Sequence, residues 1–260
     1  MFDLTSEAPG RLIRLFEGDL PEGRKKRKSL KPDMEALVRL PALAPFPSGA
    51  LFGLGSGSRP NRNTGVLMPL GPHGSMEGTI RRIDLSPLYA PLRVHFSDLN
   101  IEGAFVLGDE LLLLQRGHKG GSLNACIHFA WAEVWPWLLG QSAAPAEATA
   151  LQHYDLGAVE GTPLGFTDGA ALPDGAWVFS AVAESVDDSY NDGACVGASV
   201  GVVDAAGTLR SMRALAPSFK VEGIAAHLDG DALVLTMVTD ADDPAIPSQL
   251  LSARWVLSAD

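Results

Sequence analysis

The chain has 260 residues, a formal charge of -11 and a pI near 4.9, so a general attraction to nucleic acid or to an anionic membrane is not expected. Its 46% apolar and 20% charged residues, with 28 Gly and 18 Pro, exclude a fibrous or disordered chain and suit a loop-rich β protein. No stretch reaches the roughly 18–20 apolar residues of a membrane span, residues 1–7 lack the basic and apolar parts of a signal peptide, and a cytoplasmic location is the expectation.

Residues 11–16 (Arg-Leu-Ile-Arg-Leu-Phe) predict a first short strand, and the dense basic run Arg24-Lys25-Lys26-Arg27-Lys28 reads as a solvated loop behind it. Lys31 stands close enough in sequence to partner Asp33 or Glu35. These elements make up an N-terminal part, 1–31, ahead of a repeated part, 32–260.

The repeated part contains four units. Strand-like runs fall at 35–40, 50–55, 64–70 and 78–85; then at 102–107, 110–116, 125–134 and 150–156; then at 168–172, 176–183, 194–203 and 209–215; and last at 222–228, 232–239 and 249–255. The runs are rich in Val, Ile, Leu and aromatics, and turn segments such as Leu107-Gly108-Asp109-Glu110 and Leu228-Asp229-Gly230-Asp231 separate them. Residues 84–91 predict one helical turn with Ser86 as N-cap and Pro87 first in the helix. Residues 131–139 leave the β pattern and lead into an exposed Gly/Ala/Pro-rich insertion at 140–148. Cys126 and Cys195 sit in apolar strands at similar places in neighbouring units and are expected as buried free thiols.

Four-stranded antiparallel units of this length predict an all-β fold, a β-propeller with four visible blades and at most a partial fifth. The last unit is one strand short. Residues 11–16 either supply that strand and close the ring or are the outer strand of a further blade.

Every unit opens with a carboxylate before a small residue: Glu35-Ala36, Glu102-Gly103, Asp168-Gly169 and Glu222-Gly223. If these strands line the axis, the small residues allow close approach and the four acids face one mouth of the channel. Like charges so placed must cap backbone amides, pair with cations or hold a hard cation such as Ca²⁺. Zinc is unsupported, because the histidines at 73, 95, 118, 128, 153 and 227 show no ligand spacing. No nucleotide or organic cofactor is indicated.

Arg59, Arg62, Arg116 and Lys119 lie in Gly-rich loops after the second strands of the first two units, where they could grip a small anion. The third and fourth units place Glu184, Asp187, Asp188 and Asp240, Asp242, Asp243 there instead. Neither a phosphate-binding loop nor a nucleophile elbow is present. Glu102, through the acidic ring, and His118, as a general base near the mouth, are the candidate catalytic residues.

Four segments carry a family resemblance: Lys31-Pro32-Asp33-Met34-Glu35-Ala36-Leu37, Phe52-Gly53-Leu54-Gly55-Ser56-Gly57-Ser58, Leu99-Asn100-Ile101-Glu102-Gly103-Ala104 with Gln115-Arg116-Gly117, and Val221-Glu222-Gly223-Ile224. Through them the chain resembles, over residues 11–257, an uncharacterised bacterial family of β-propellers within the superfamily of phytase-like and esterase-like propellers and, more distantly, gluconolactonases. That resemblance implies five or six blades, often with divalent cations at the axis, and hydrolysis of phosphoesters or lactones. The chain departs from the pattern in lacking a hairpin ahead of residues 11–16 and the dense run of calcium-binding acids of the phytases. The expectation is a divalent-cation-dependent hydrolase of a small anionic phosphoester or lactone, with Glu35, Glu102, Asp168 and Glu222 on the cation. The alternative is a non-catalytic propeller that binds a ligand or a protein partner.

Overall fold

Each of the four units forms an antiparallel sheet in the computed structural model, which describes residues 10–118, 120–121, 123–143, 145, 147–185, 195–243 and 245–256. The first blade contains β1 (Met34–Leu40), β2 (Ala50–Gly55), β3 (Thr64–Pro69) and β4 (Arg81–Asp84). The second contains β5 (Ile101–Leu107), β6 (Glu110–Gln115), β7 (Asn124–Ala130) and β8 (Ala150–Tyr154). A two-residue strand, β9 (Ala158–Val159), precedes β10 (Thr162–Ala171), β11 (Trp177–Glu184), β12 (Cys195–Val203) and β13 (Leu209–Ala214) of the third blade. The fourth has β14 (Val221–Asp229), β15 (Ala232–Thr239) and β16 (Leu250–Val256), and these sheets build a four-bladed β-propeller with little helix.

The strands form because their residues suit a sheet covered on both faces: β11 is Trp-Val-Phe-Ser-Ala-Val-Ala-Glu, every residue buried. The innermost strands β1, β5, β10 and β14 pack in that order, and an apolar core fills each gap between neighbouring blades. Leu40, Phe52, Leu99, Ile101 and Phe129 join blades one and two; Phe105, Leu112, Phe166 and Trp177 join two and three; Val178, Val200, Ile224 and Leu235 join three and four. Among the described residues no such core joins blade four to blade one, where Leu37 stays 57% and Val238 45% exposed.

The inner strands approach as closely as their small residues allow. A methyl group on Gly103 would stand 2.8 Å from the Asp168 Cα, and one on Gly169 would stand 2.7 Å from the Phe105 ring.

Two expectations for the N-terminal part are corrected. Residues 11–16 form no strand, and β16 remains the last strand of blade four among the described residues. Instead Phe16 lies beside blade one, with the Arg82 guanidinium of β4 5.2 Å from its ring centre. The basic run is helix α1 (Arg24–Leu30), exposed along Lys25, Lys26 and Arg27, rather than a loop. The helical turn at α2 (Ser86–Tyr89) is present with Leu85, not Ser86, at the N-cap. β7 ends at Ala130 because α3 (Trp131–Leu138) takes over the segment expected to prolong it. Cys126 is buried and Cys195 half-buried, both as free thiols.

Candidate functional site

The entry of each inner strand carries the same irregularity. Pairing with the second strand slips between Met34 and Ala36 in β1, between Ile101 and Gly103 in β5, and between Val221 and Gly223 in β14. In β10 the slip falls between Phe166 and Asp168. The extra residue of each bulge is therefore Glu35, Glu102, Thr167 and Glu222, since a bulge re-aims one side chain away from the ladder. Asp168 is thus not the equivalent of the three glutamates. It occupies the position of Ala36, Gly103 and Gly223, and Thr167 sits on the bulge, fully buried, sharing a 2.8 Å hydrogen bond with Ser180.

The displacement gives Asp168 a different role. Its Oδ2 accepts the backbone N–H of Ile224 at 2.9 Å and ties β10 to β14 across the blade boundary. Burial raises its carboxyl to about 7, against the lowering effect of the Ile224 and Gly169 amides. This is the amide-capping arrangement foreseen for all four acids, realised at one of them.

The three bulge glutamates converge at the axial mouth. Burial pushes Glu35 well above the ordinary carboxylate range, and the charges of Glu102, Asp33 and Glu222 push it further, while Lys31 opposes them. Glu35 makes no ion pair among the described residues. Glu222 is raised to about 8 by burial and by Glu102, with Lys220 and Arg116 opposing. Glu102 is also raised by burial, but the Arg116 charge and the Asn100 hydrogen bond restrain it.

Glu102 is the best-held of the three. Asn100 Nδ2 donates to its Oε1 at 2.5 Å, and Arg116 Nη1 stands 3.5 Å from its Oε2. Arg116 Nη2 continues to Glu184 Oε2 at 2.9 Å, and Glu184 Oε1 meets Lys220 Nζ at 2.7 Å. Lys220 then reaches Glu222 Oε1 at 3.3 Å and also pairs with Asp242. A continuous ionic chain, Glu102–Arg116–Glu184–Lys220–Glu222, so crosses blades two, three and four. Gly165 makes the crossing feasible, because a methyl group there would stand 2.8 Å from Arg116 Cγ. Burial works against the charges of Arg116 and Lys220, yet the surrounding carboxylates hold both more firmly protonated than usual.

A second cluster lies beside Glu35. Asp33, buried and in the left-handed region at φ 56°, accepts Ser56 Oγ at 3.0 Å and pairs with Lys31 at 2.7 Å and with the buried Arg62 at 2.5 Å. Despite burial, these partners hold its carboxyl below the usual range.

The expected anion grip is distributed differently. Arg62 is committed to Asp33, Arg116 to Glu102 and Glu184, and Arg59 lies exposed at the surface. Lys119, Asp187 and Asp188 lie outside the described residues. Both ring nitrogens of His118 are engaged: Nδ1 accepts the Gly120 N–H at 3.0 Å, so Nε2 carries the proton toward Asp98 Oδ2 at 2.9 Å. Among the described residues no three of His, Cys, Asp and Glu stand together as a preformed metal cage.

Lys220 and Asn100 are site residues for which the sequence suggested no role, and Asp33 takes the Lys31 partnership that their closeness in sequence allows. Each stands two positions before a bulge glutamate, at the residue that leads into the inner strand. That spacing was the available signal.

Residues 27–244 match a family of unknown function, DUF6910. No curated protein matches this chain in sequence. Among solved structures it is similar to the subtype N10 neuraminidase-like protein of A/little yellow-shouldered bat/Guatemala/060/2010 at 12% identity and TM-score 0.36, covering 83% of this chain and 57% of that one. It is also similar to native Bacillus subtilis arabinanase Arb43A at 10% identity and TM-score 0.37, covering 84% of this chain and 92% of that one. Both likenesses are remote. The family match agrees with an uncharacterised propeller family and lends nothing to a place among the phytase-like or gluconolactonase propellers. No helix is long and apolar enough to cross a membrane among the described residues.

Proposed function

The chain belongs to the DUF6910 family, and we propose that its axial mouth is the acid–base centre of a hydrolase that cleaves an acetal, that is a glycosidic, bond. One observation carries the reading: two buried glutamates meet at one mouth, both raised by burial, and partners restrain Glu102 while Glu222 is raised to about 8. Glu102 is gripped by Arg116 and Asn100, which favour the carboxylate. Glu222, raised to about 8 by burial and by Glu102, holds its proton at neutral pH. Paired carboxyls pushed apart in this way are a general acid and a carboxylate partner.

The sign of the local charge selects the bond. With Glu222 holding its proton, the Glu102 and Glu184 carboxylates balance Arg116 and Lys220 in the ionic chain, so the mouth leaves no uncompensated cation for a developing anion and offers the Glu102 carboxylate to a developing positive charge. Hydrolysis of an acetal passes through an oxocarbenium-like, cationic transition state. Attack on a phosphoester or lactone develops negative charge and needs donors aimed at an oxyanion, and the cations here are already occupied by carboxylates.

The test is chromogenic hydrolysis of aryl pentosides, hexosides and uronides across pH. Activity is expected to fall above about pH 8, where Glu222 loses its proton, and Glu102→Gln and Glu222→Gln are each expected to lose at least about a hundredfold. Variants that keep the wild-type rate, or no turnover of any of these substrates, would remove the assignment.

A second reading draws on Glu35, whose buried carboxyl has no cationic contact: a divalent cation such as Ca²⁺ held by Glu35, Glu102 and Glu222. A saturable thermal stabilisation by Ca²⁺, Mg²⁺, Mn²⁺ or Zn²⁺, lost in Glu102→Gln, would favour it.

A further inference from the structure

Helix α1 is the densest cationic segment of an acidic molecule. Five of its seven residues are Arg or Lys, a quarter of all 20 cations in a chain with 31 carboxylates. It carries no acidic residue in its first turn and no side-chain N-cap, and like charges three and four residues apart repel. So short a helix is marginal by itself. Among the described residues Lys25, Lys26 and Arg27 are exposed and form no salt bridge. Three exposed cations without a salt bridge on an acidic protein make a surface suited to an external polyanion.

The place of α1 says which polyanion fits. Its last turn is anchored at the mouth, where Arg62 Nη2 donates to the Lys28 carbonyl at 3.4 Å. Lys31 follows directly, pairs with Asp33, and acts electrostatically on Glu35. A basic track therefore runs from α1 to the edge of the carboxyl-rich centre. On the far side stand Glu184, Glu222 and Asp242. A nucleic acid, charged at every residue, or a flat anionic membrane would meet these carboxylates as well as α1. A polysaccharide with carboxylates on only part of its length can lay charged sugars along α1 and an uncharged linkage at the axis.

We infer that α1 is the docking surface for an anionic, uronic-acid-containing polysaccharide that extends into the axial mouth. The inference rests on the acid–base reading for its choice of sugar, but its test does not require turnover. Binding of a glucuronoxylan, in which only occasional sugars carry a carboxylate, and of a neutral arabinoxylan is measured by calorimetry at low and at physiological salt, with wild type and the Lys25→Glu/Lys26→Glu/Arg27→Glu variant. All three reversed residues are exposed, and an unchanged melting temperature verifies the fold. Wild type is expected to prefer the glucuronoxylan, with affinity falling about tenfold in the triple variant and falling with salt. Charge-dependent binding without hydrolysis would retain α1 as the docking surface and remove only the acid–base reading. Equal binding of the two polymers, an unaffected triple variant, or tighter binding to anionic vesicles or single-stranded DNA than to the glucuronoxylan would overturn the inference.

Discussion

Glu222→Gln removes one charge from the mouth while keeping the shape of the side chain, and the buried cluster makes its effect on stability depend on pH. In the unfolded chain the carboxyl titrates near 4.5; in the fold it titrates at about 8. Between those values the unfolded state has lost a proton that the folded state retains, so stability falls as pH rises through the window and is level above it. At about 1.36 kcal/mol per pH unit, the shift from 4.5 to about 8 corresponds to at most about 5 kcal/mol. The Glu222 side chain is 23% exposed and shares its repulsion with Glu35 and Glu102, so solvent screening and shared protons reduce the expected penalty to about 2 kcal/mol. Glu222→Gln should therefore unfold near wild-type urea concentrations below pH 4.5 and be more stable than wild type by about 2 kcal/mol above pH 8. The lost contact with Lys220 takes back about 0.5 kcal/mol. Urea unfolding across the range measures both curves. A constant difference between variant and wild type from acid to alkaline pH would refute the burial of a proton-holding Glu222.

Two further outcomes test the scaffold. Asn124 accepts the Gly117 and Phe166 amides at 2.7 and 3.0 Å and donates to the Leu164 carbonyl at 2.7 Å, so it pins blade two to blade three. Asn124→Leu strands all three groups and should lower the unfolding free energy by about 3 kcal/mol, read as an earlier urea midpoint with an unchanged slope. Arg62→Met leaves the buried Asp33 short of a partner and should destabilise by about 3 kcal/mol. The double variant with Asp33→Asn should recover part of that loss, and additive effects of the two substitutions would dismiss the pair as a coupled unit.

The propeller was legible because its signal is repeated. Runs such as Leu111-Leu112-Leu113-Leu114 and Trp177–Ala183, spaced by hairpin turns, can satisfy their backbone and bury both faces only as central strands of stacked sheets. The small residues at Gly103 and Gly169 announced close inner strands, and they stand against the Asp168 backbone and the Phe105 ring. Residues 11–16 misled for the same reason in reverse: a short run rich in Leu, Ile and Phe suits a strand, but strand propensity does not choose a partner edge. The segment went to blade one, where Phe16 meets Arg82.

The amino-acid sequence alone determined the four blade-like units, the three glutamates at their entries and the basic run at 24–28, because burial pattern, turn chemistry and charge are local properties of the chain, whereas the packing showed that the ring has four blades and no fifth among the described residues. Only the tertiary structure decided that Thr167 and not Asp168 completes the ring of bulges, since a one-residue slip is invisible until a strand is paired. It alone decided which cations remain for a ligand. Arg62 and Arg116 look available in their loops, but folding brings Asp33, Glu102 and Glu184 against them, residues up to 68 positions away in the chain. The electrostatic character of a site is set by its neighbours in space, and those are chosen by the packing of blades.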